Sequence, residues 1–151
     1  MVDDVLLNKS AIIERCVHRA REEYQAAGAN FATDYTRQDA AILNLQRACE
    51  AALDIANHLT RLHKLGIPQS ARSAFELLEQ GGLIPGSLAE AMKNMVGFRN
   101  IAVHDYQSLL LPITERIITQ HLDEFLAFTA HLSKREAPQH DKPLSPALQC
   151  I

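Results

Sequence analysis

Apolar residues recur at helical spacing along most of the chain. Val5, Ile12, Ile13, Cys16, Val17, Ala20 and Tyr24 follow that spacing and predict a first helix from about Asp3 to Ala27. Gly28 marks its end, residues 29–35 read as a loop, and Thr33 or Asp34 is placed to cap the next helix. The strongest periodic signal follows. Ile42, Leu45, Cys49, Ala52, Ala56, Leu59 and His63 alternate steps of three and four, with Ala48, Ile55 and Leu62 as a second stripe. So wide an apolar face predicts burial on more than one side. From about Thr36 to Leu65 this second helix reaches ~45 Å at ~1.5 Å per residue. It forms a long antiparallel hairpin with the first, ended by Gly66, Ile67 and Pro68.

A short third helix is predicted from about Ser70, its cap, to Gln80, burying Ala74, Phe75, Leu77 and Leu78. Gly81-Gly82 breaks it. Ser87 with Glu90 three residues on has capping-box spacing for a fourth helix, which buries Leu88, Met92, Met95, Val96 and Phe98. Pro112 suits the first turn of a fifth, with Ile113, Ile117, Ile118, Phe125, Leu126 and Leu132 as its core face. Prolines 138, 143 and 146 then mark residues 133–151 as a flexible tail outside a helical domain of residues 1–132. The expected class is all-α, a bundle of four to five helices.

Composition supports helices: glycine is scarce, with six in 151 residues, and tryptophan is absent. Cys16, Cys49 and Cys150 are distant and odd in number, so they form neither a zinc pattern nor a disulfide framework. With no basic, apolar leader and no run of membrane-spanning length, cytoplasmic residence is expected. The net charge of −3 speaks mildly against a protein that grips nucleic acid through backbone charge alone. Among the basic residues available to line an RNA groove, Arg47 and Arg61 stand out, because they lie off the main apolar stripe of the second helix.

Chemistry concentrates in "GFRNIAVHDY", residues 97–106. Arginine holds phosphate with a forked, permanent charge. An imidazole exchanges protons near neutrality. RNA carries its own nucleophile in the 2′-hydroxyl, so a base, an acid and a charge stabiliser suffice to cleave it. Arg99 and His104 lie about 140° apart around a helix, and Asn100 and His104 are neighbours one turn apart. If the helix continues, Tyr106 falls within about 20° of Arg99. One straight helix makes a loose site, whereas two copies about a two-fold axis gather two arginines and two histidines. Taken by spacing alone, the same residues also fit a solvated helix end with a surface ion pair.

The stretch R-N-I-A-V-H-D-Y resembles the R-x-x-x-x-H-x-Y signature of the HEPN superfamily. "KNMVGFRNIAVHDY" and "DYTRQDAAILNLQRACEAALDIANHL" are similar in particular to the HepT-like toxins paired with minimal nucleotidyltransferase (MNT) antitoxins. The resemblance spans about residues 1–132. It implies a homodimeric, metal-independent endoribonuclease needing no cofactor, with Arg99 and His104 as the catalytic pair and Asn100 in support. It also implies that a partner transferase attaches AMP to Tyr106. The other reading is a non-catalytic helical module that docks such a transferase.

Overall fold

The computed structural model describes residues 3–135. Helix α1 (Asp4–Ala27) begins at Asp3, whose carboxylate accepts the Leu6 amide, and ends at Gly28 with φ 54°. Left-handed backbone there is natural for glycine. The loop that follows contains a 3-10 turn, Gly28–Asn30, and Phe31 folds back edge-on to Tyr24 with ring centroids 4.9 Å apart. Of the two predicted caps, Asp34 is the one that caps α2 (Tyr35–Leu62), accepting the Arg37 amide.

Helix α2 stops at Leu62, three residues earlier than periodicity suggests. Lys64 turns left-handed with φ 55°, and the Leu65 amide returns to the Thr60 carbonyl at 2.8 Å. That return bond satisfies a terminal carbonyl and closes the helix before the glycine is reached. Leu62, predicted on a buried stripe, is exposed as a result.

The hairpin is antiparallel, fixed by polar contacts near both ends. Glu23 accepts from Arg19 at 2.5 Å and from Arg37 across the hairpin at 2.7 Å. At the opposite end Asp3 meets His58 at 2.8 Å and Lys9 meets Asp54 at 2.9 Å. Between them Ile13, Cys16, Val17 and Ala20 pack on Leu45, Ala48, Ala52, Ile55 and Leu59. Val5, expected in the core, is exposed, and Leu6 takes its place.

Helix α3 (Ala71–Gln80) has Ser70 as cap, in a capping box completed by Ser73. Helix α4 (Gly86–His104) starts one residue before the predicted cap. Pro85, extended at φ −74° and ψ 160°, precedes it, and no side chain caps it. Ser87 is thereby carried inside the helix, and Glu90 pairs with Lys93 at 3.4 Å instead. The predicted fifth helix is a rod in three parts: α5 (Leu111–Arg116), a π turn Ile117–His121, and α6 (Leu122–Arg135). The π turn shifts the helical phase, which leaves Ile113 exposed while Leu122, Phe125, Phe128 and Leu132 are buried. Phe128 meets Phe75 edge to face at 5.7 Å, tying α6 to α3. The rod runs to Arg135, so residues 133–135, expected in the tail, are helical, and residues 136–151 lie outside the described residues.

Two stability outcomes follow. The Thr114 hydroxyl is buried with no hydrogen-bond partner among the described residues. An unmet hydroxyl costs more than the methyl of an isosteric valine. Thr114→Val is therefore expected to raise stability by about 1 kcal/mol in urea unfolding. Glu23 is the second case. Its hydrogen bond from Arg37 holds the carboxyl below its ordinary value, against burial, and Arg19 adds to the lowering. A depressed carboxyl stabilises the fold above its unfolded value and loses that contribution as pH falls through the folded one. Stability is thus expected to decline as pH drops below about 4.5. Glu23→Gln should flatten that decline and cost about 1–2 kcal/mol at neutral pH, a figure held down by the half-exposed arginines. Urea midpoints across the acid range check both.

Candidate functional site

Residues 99–104 form the last turns of α4, packed on α2. Phe98 and Ala102 face the core, so the residues between them face outward. Arg99 is half-buried. Its Nε and Nη2 both donate to Glu50 Oε2 on α2, at 3.3 and 3.1 Å. Its Nη1 donates to Asn100 Oδ1 at 3.3 Å. Three of the five guanidinium N–H groups are therefore engaged and two remain for a ligand. The arginine reaches around its helix to Asn100, which lies one turn from His104. That reach offsets the 140° separation expected from spacing. His104 is the exposed last residue of α4, and no hydrogen bond or ion pair engages it among the described residues.

Tyr106 does not continue the helix. Asp105 breaks it with φ −152° and ψ 57°, and Tyr106–Ser108 forms a 3-10 turn. The alignment of Tyr106 above Arg99 expected from an unbroken helix is therefore lost. The turn instead directs the phenol toward α2, where its hydroxyl donates to Asp39 Oδ1. Burial, together with the Asp39 carboxylate, pushes the Tyr106 hydroxyl up to about 12. The preceding Asp105 accepts from the Ser108 hydroxyl at 2.6 Å, a helix-end role.

Glu50 and Asp39 are the participants that sequence reasoning missed. They are eleven residues apart, about three turns and 20°, so both lie on one face of α2. Arg47 and Arg61 are exposed on that helix. Arg61 lines an open cavity of about 930 Å³ with Asn57, His58 and Lys64. Arg19 and Arg37 are spent on Glu23, and Lys93 lies beside Glu90.

A second cavity of about 640 Å³ lies along the other flank of α4, against Ile101, Leu110 and Ile113. None of Arg99, Asn100 and His104 lines it. Cys49 is buried, its thiol donating to the Met95 carbonyl at 3.4 Å, and burial pushes the thiol up, which fits a structural residue. Among the described residues, no group of three or more His, Cys, Asp or Glu is placed to hold a metal ion, and no helix is long and apolar enough to cross a membrane.

The family model described as ribonuclease HepT-like matches residues 13–132. The chain belongs to the HepT-like ribonuclease family. An mRNA nuclease HepT of Shewanella oneidensis is 50% identical over 127 residues, covering 84% of this chain and 95% of that protein. The solved structure of a tri-AMPylated Shewanella oneidensis HEPN toxin, in complex with an MNT antitoxin, superposes with TM-score 0.84. It is 47% identical and covers 88% of this chain and 99% of that one. A toxin–antitoxin crystal structure with AMP-PNP gives TM-score 0.82 at 47% identity, covering 87% and 99%. The all-α bundle expected from the residues, and the HEPN architecture implied by the resemblance, are thus the architecture of this HepT-like chain.

Glu50 fixes where the Arg99 fork points, so it bears on the rate of any chemistry at that arginine. Glu50→Gln keeps the shape but loses the charge-assisted bonds, each type worth about 1.5–3 kcal/mol. The expected result is an about tenfold fall in kcat for RNA cleavage with KM unchanged or lower, since a negative charge near the RNA is also removed. Steady-state cleavage kinetics separate the two constants.

Proposed function

We propose that this HepT-like protein is the endoribonuclease toxin of a toxin–antitoxin pair, cleaving RNA without a metal ion and silenced by AMP attached to Tyr106. The observation that carries the reading is the placement of Arg99, Asn100 and His104 on the last turns of α4, with two guanidinium N–H groups uncommitted among the described hydrogen bonds and His104 exposed. Arg99 binds the scissile phosphate and meets the charge that grows on it. His104 moves a proton, either from the 2′-hydroxyl or to the leaving 5′-oxygen. Asn100 steadies the arginine through its side-chain oxygen.

One chain presents one imidazole, and the reaction needs both a base and an acid. A homodimer supplies the second. Among the described residues, four exposed large apolar side chains, Ile101, Val103, Leu110 and Ile113, fall within residues 101–113 around His104. A cluster of that kind supports burial by another protein surface. The two-fold pairing brings two copies of residues 99–104 around one cleft. Arg47 and Arg61 extend the phosphate contacts along α2.

The related toxin is described as AMPylated and complexed with an MNT antitoxin, which supports a nucleotidyltransferase as this chain's partner. Tyr106 is half-exposed beside α2, open to such an enzyme. AMP there adds an anion that competes with RNA phosphate and a bulk that obstructs the cleft. The cytoplasm is where such a substrate and partner meet.

The test is cleavage of RNA by purified, unmodified protein in chelator. His104→Ala is expected to slow it by about 10²–10⁴-fold. Arg99→Lys keeps the charge but loses the fork, and should fall between the two. Cleavage by His104→Ala at the wild-type rate would overturn the assignment.

A further inference from the structure

The Tyr106 hydroxyl makes its hydrogen bond to a carboxylate of its own chain. The partner is Asp39, on the outward face of α2, four residues after the helix begins. Tyr106 as a residue stays half-exposed while the bond is in place. No other carboxylate is held to it among the described hydrogen bonds; Asp105 is turned to Ser108.

A neutral phenol is a poor nucleophile, and this one resists ionising, since burial and the Asp39 charge both hold its proton on. Attack on phosphorus therefore needs a base at the oxygen as the bond forms. We propose that Asp39 is that base, so that the toxin carries within itself one catalytic residue of its own modification. The step rests on the modification reading above. The Tyr106 oxygen bonds to the α-phosphorus of ATP. The bond from that phosphorus to the oxygen bridging to the β-phosphate breaks, and pyrophosphate leaves with its electron pair. The phenol proton passes to the Asp39 carboxylate. The turn at Asp105 gives this geometry its cause: by ending α4 it swings Tyr106 off the line of Arg99 and onto α2.

The contrasting role is positioning only, with the transferase supplying the base. Asp39→Asn separates them, because its side-chain oxygen still accepts the phenol hydrogen bond but does not take the proton. The experiment is single-turnover AMP transfer from α-labelled ATP, at varied ATP concentration, by a partner MNT-type nucleotidyltransferase to full-length protein, followed by intact mass. Asp39→Asn is expected to slow transfer by about 10²-fold or more with the KM for ATP unchanged, and Asp39→Glu to recover part of the rate. Thermal melting and co-purification with the transferase show that the variants fold and dock. Transfer to Asp39→Asn at the wild-type rate overturns the base assignment and leaves the modification reading intact. No transfer to wild type, with the transferase active on its own test substrate, overturns the modification reading and this inference with it.

Discussion

Burial of α2 against its neighbours is the constraint from which the site follows. Leu45, Ala48, Ala52, Ile55 and Leu59 are buried in the shared core with α1, α3 and α4. A helix gripped this way has little freedom to rotate about its axis, because interiors pack at crystal-like density. Its one free face is therefore fixed in space. That face carries Asp39 and Glu50, which hold the phenol of Tyr106 and the guanidinium of Arg99. Both side chains come from α4 and the turn after it, yet α2 decides where they point.

The fold was legible wherever local chemistry and core periodicity agree. Gly28 ends α1 and Ser70 starts α3, because each supplies what a helix terminus lacks. Errors arose where one rule met a stronger one. Ser87 and Glu90 have capping-box spacing, but Pro85 presets the extended residue just before them and the helix begins at Gly86. Ile113 fits an apolar stripe on a regular helix, but the π turn at Ile117–His121 changes the phase within a few residues. Nothing in a 3.6-residue period announces that insertion.

Of the candidate site, Arg99, Asn100, His104 and Tyr106 were legible because they stand together in eight residues. Their carboxylate partners were not, because Asp39 and Glu50 are 67 and 49 residues away in sequence and sit on a solvent face. A polar residue on such a face reads as surface until tertiary contact selects it. The net charge of −3 averages over ion pairs such as Glu23 with Arg19 and Arg37, which are structural. What matters at the site is that the Arg99 fork is only partly consumed by Glu50.

The spacing along α2 also bears on how an adenylyl group would silence the nuclease. Asp39 and Glu50 are about 16 Å apart at ~1.5 Å per residue. Charges exposed to physiological salt are screened over about 8 Å. A single phosphate held at the tyrosine end therefore acts weakly on the arginine of the same chain through its field alone. Silencing has to come from occupancy: nucleotide bulk laid in the cleft, or phosphates carried close enough to take the two guanidinium donors left open. A modification that grows by further nucleotides along α2 gains reach that one unit lacks. On the proposed reading the tyrosine would be an anchor, set far enough from the arginine to be accessible to a transferase and near enough for its attachment to reach the guanidinium.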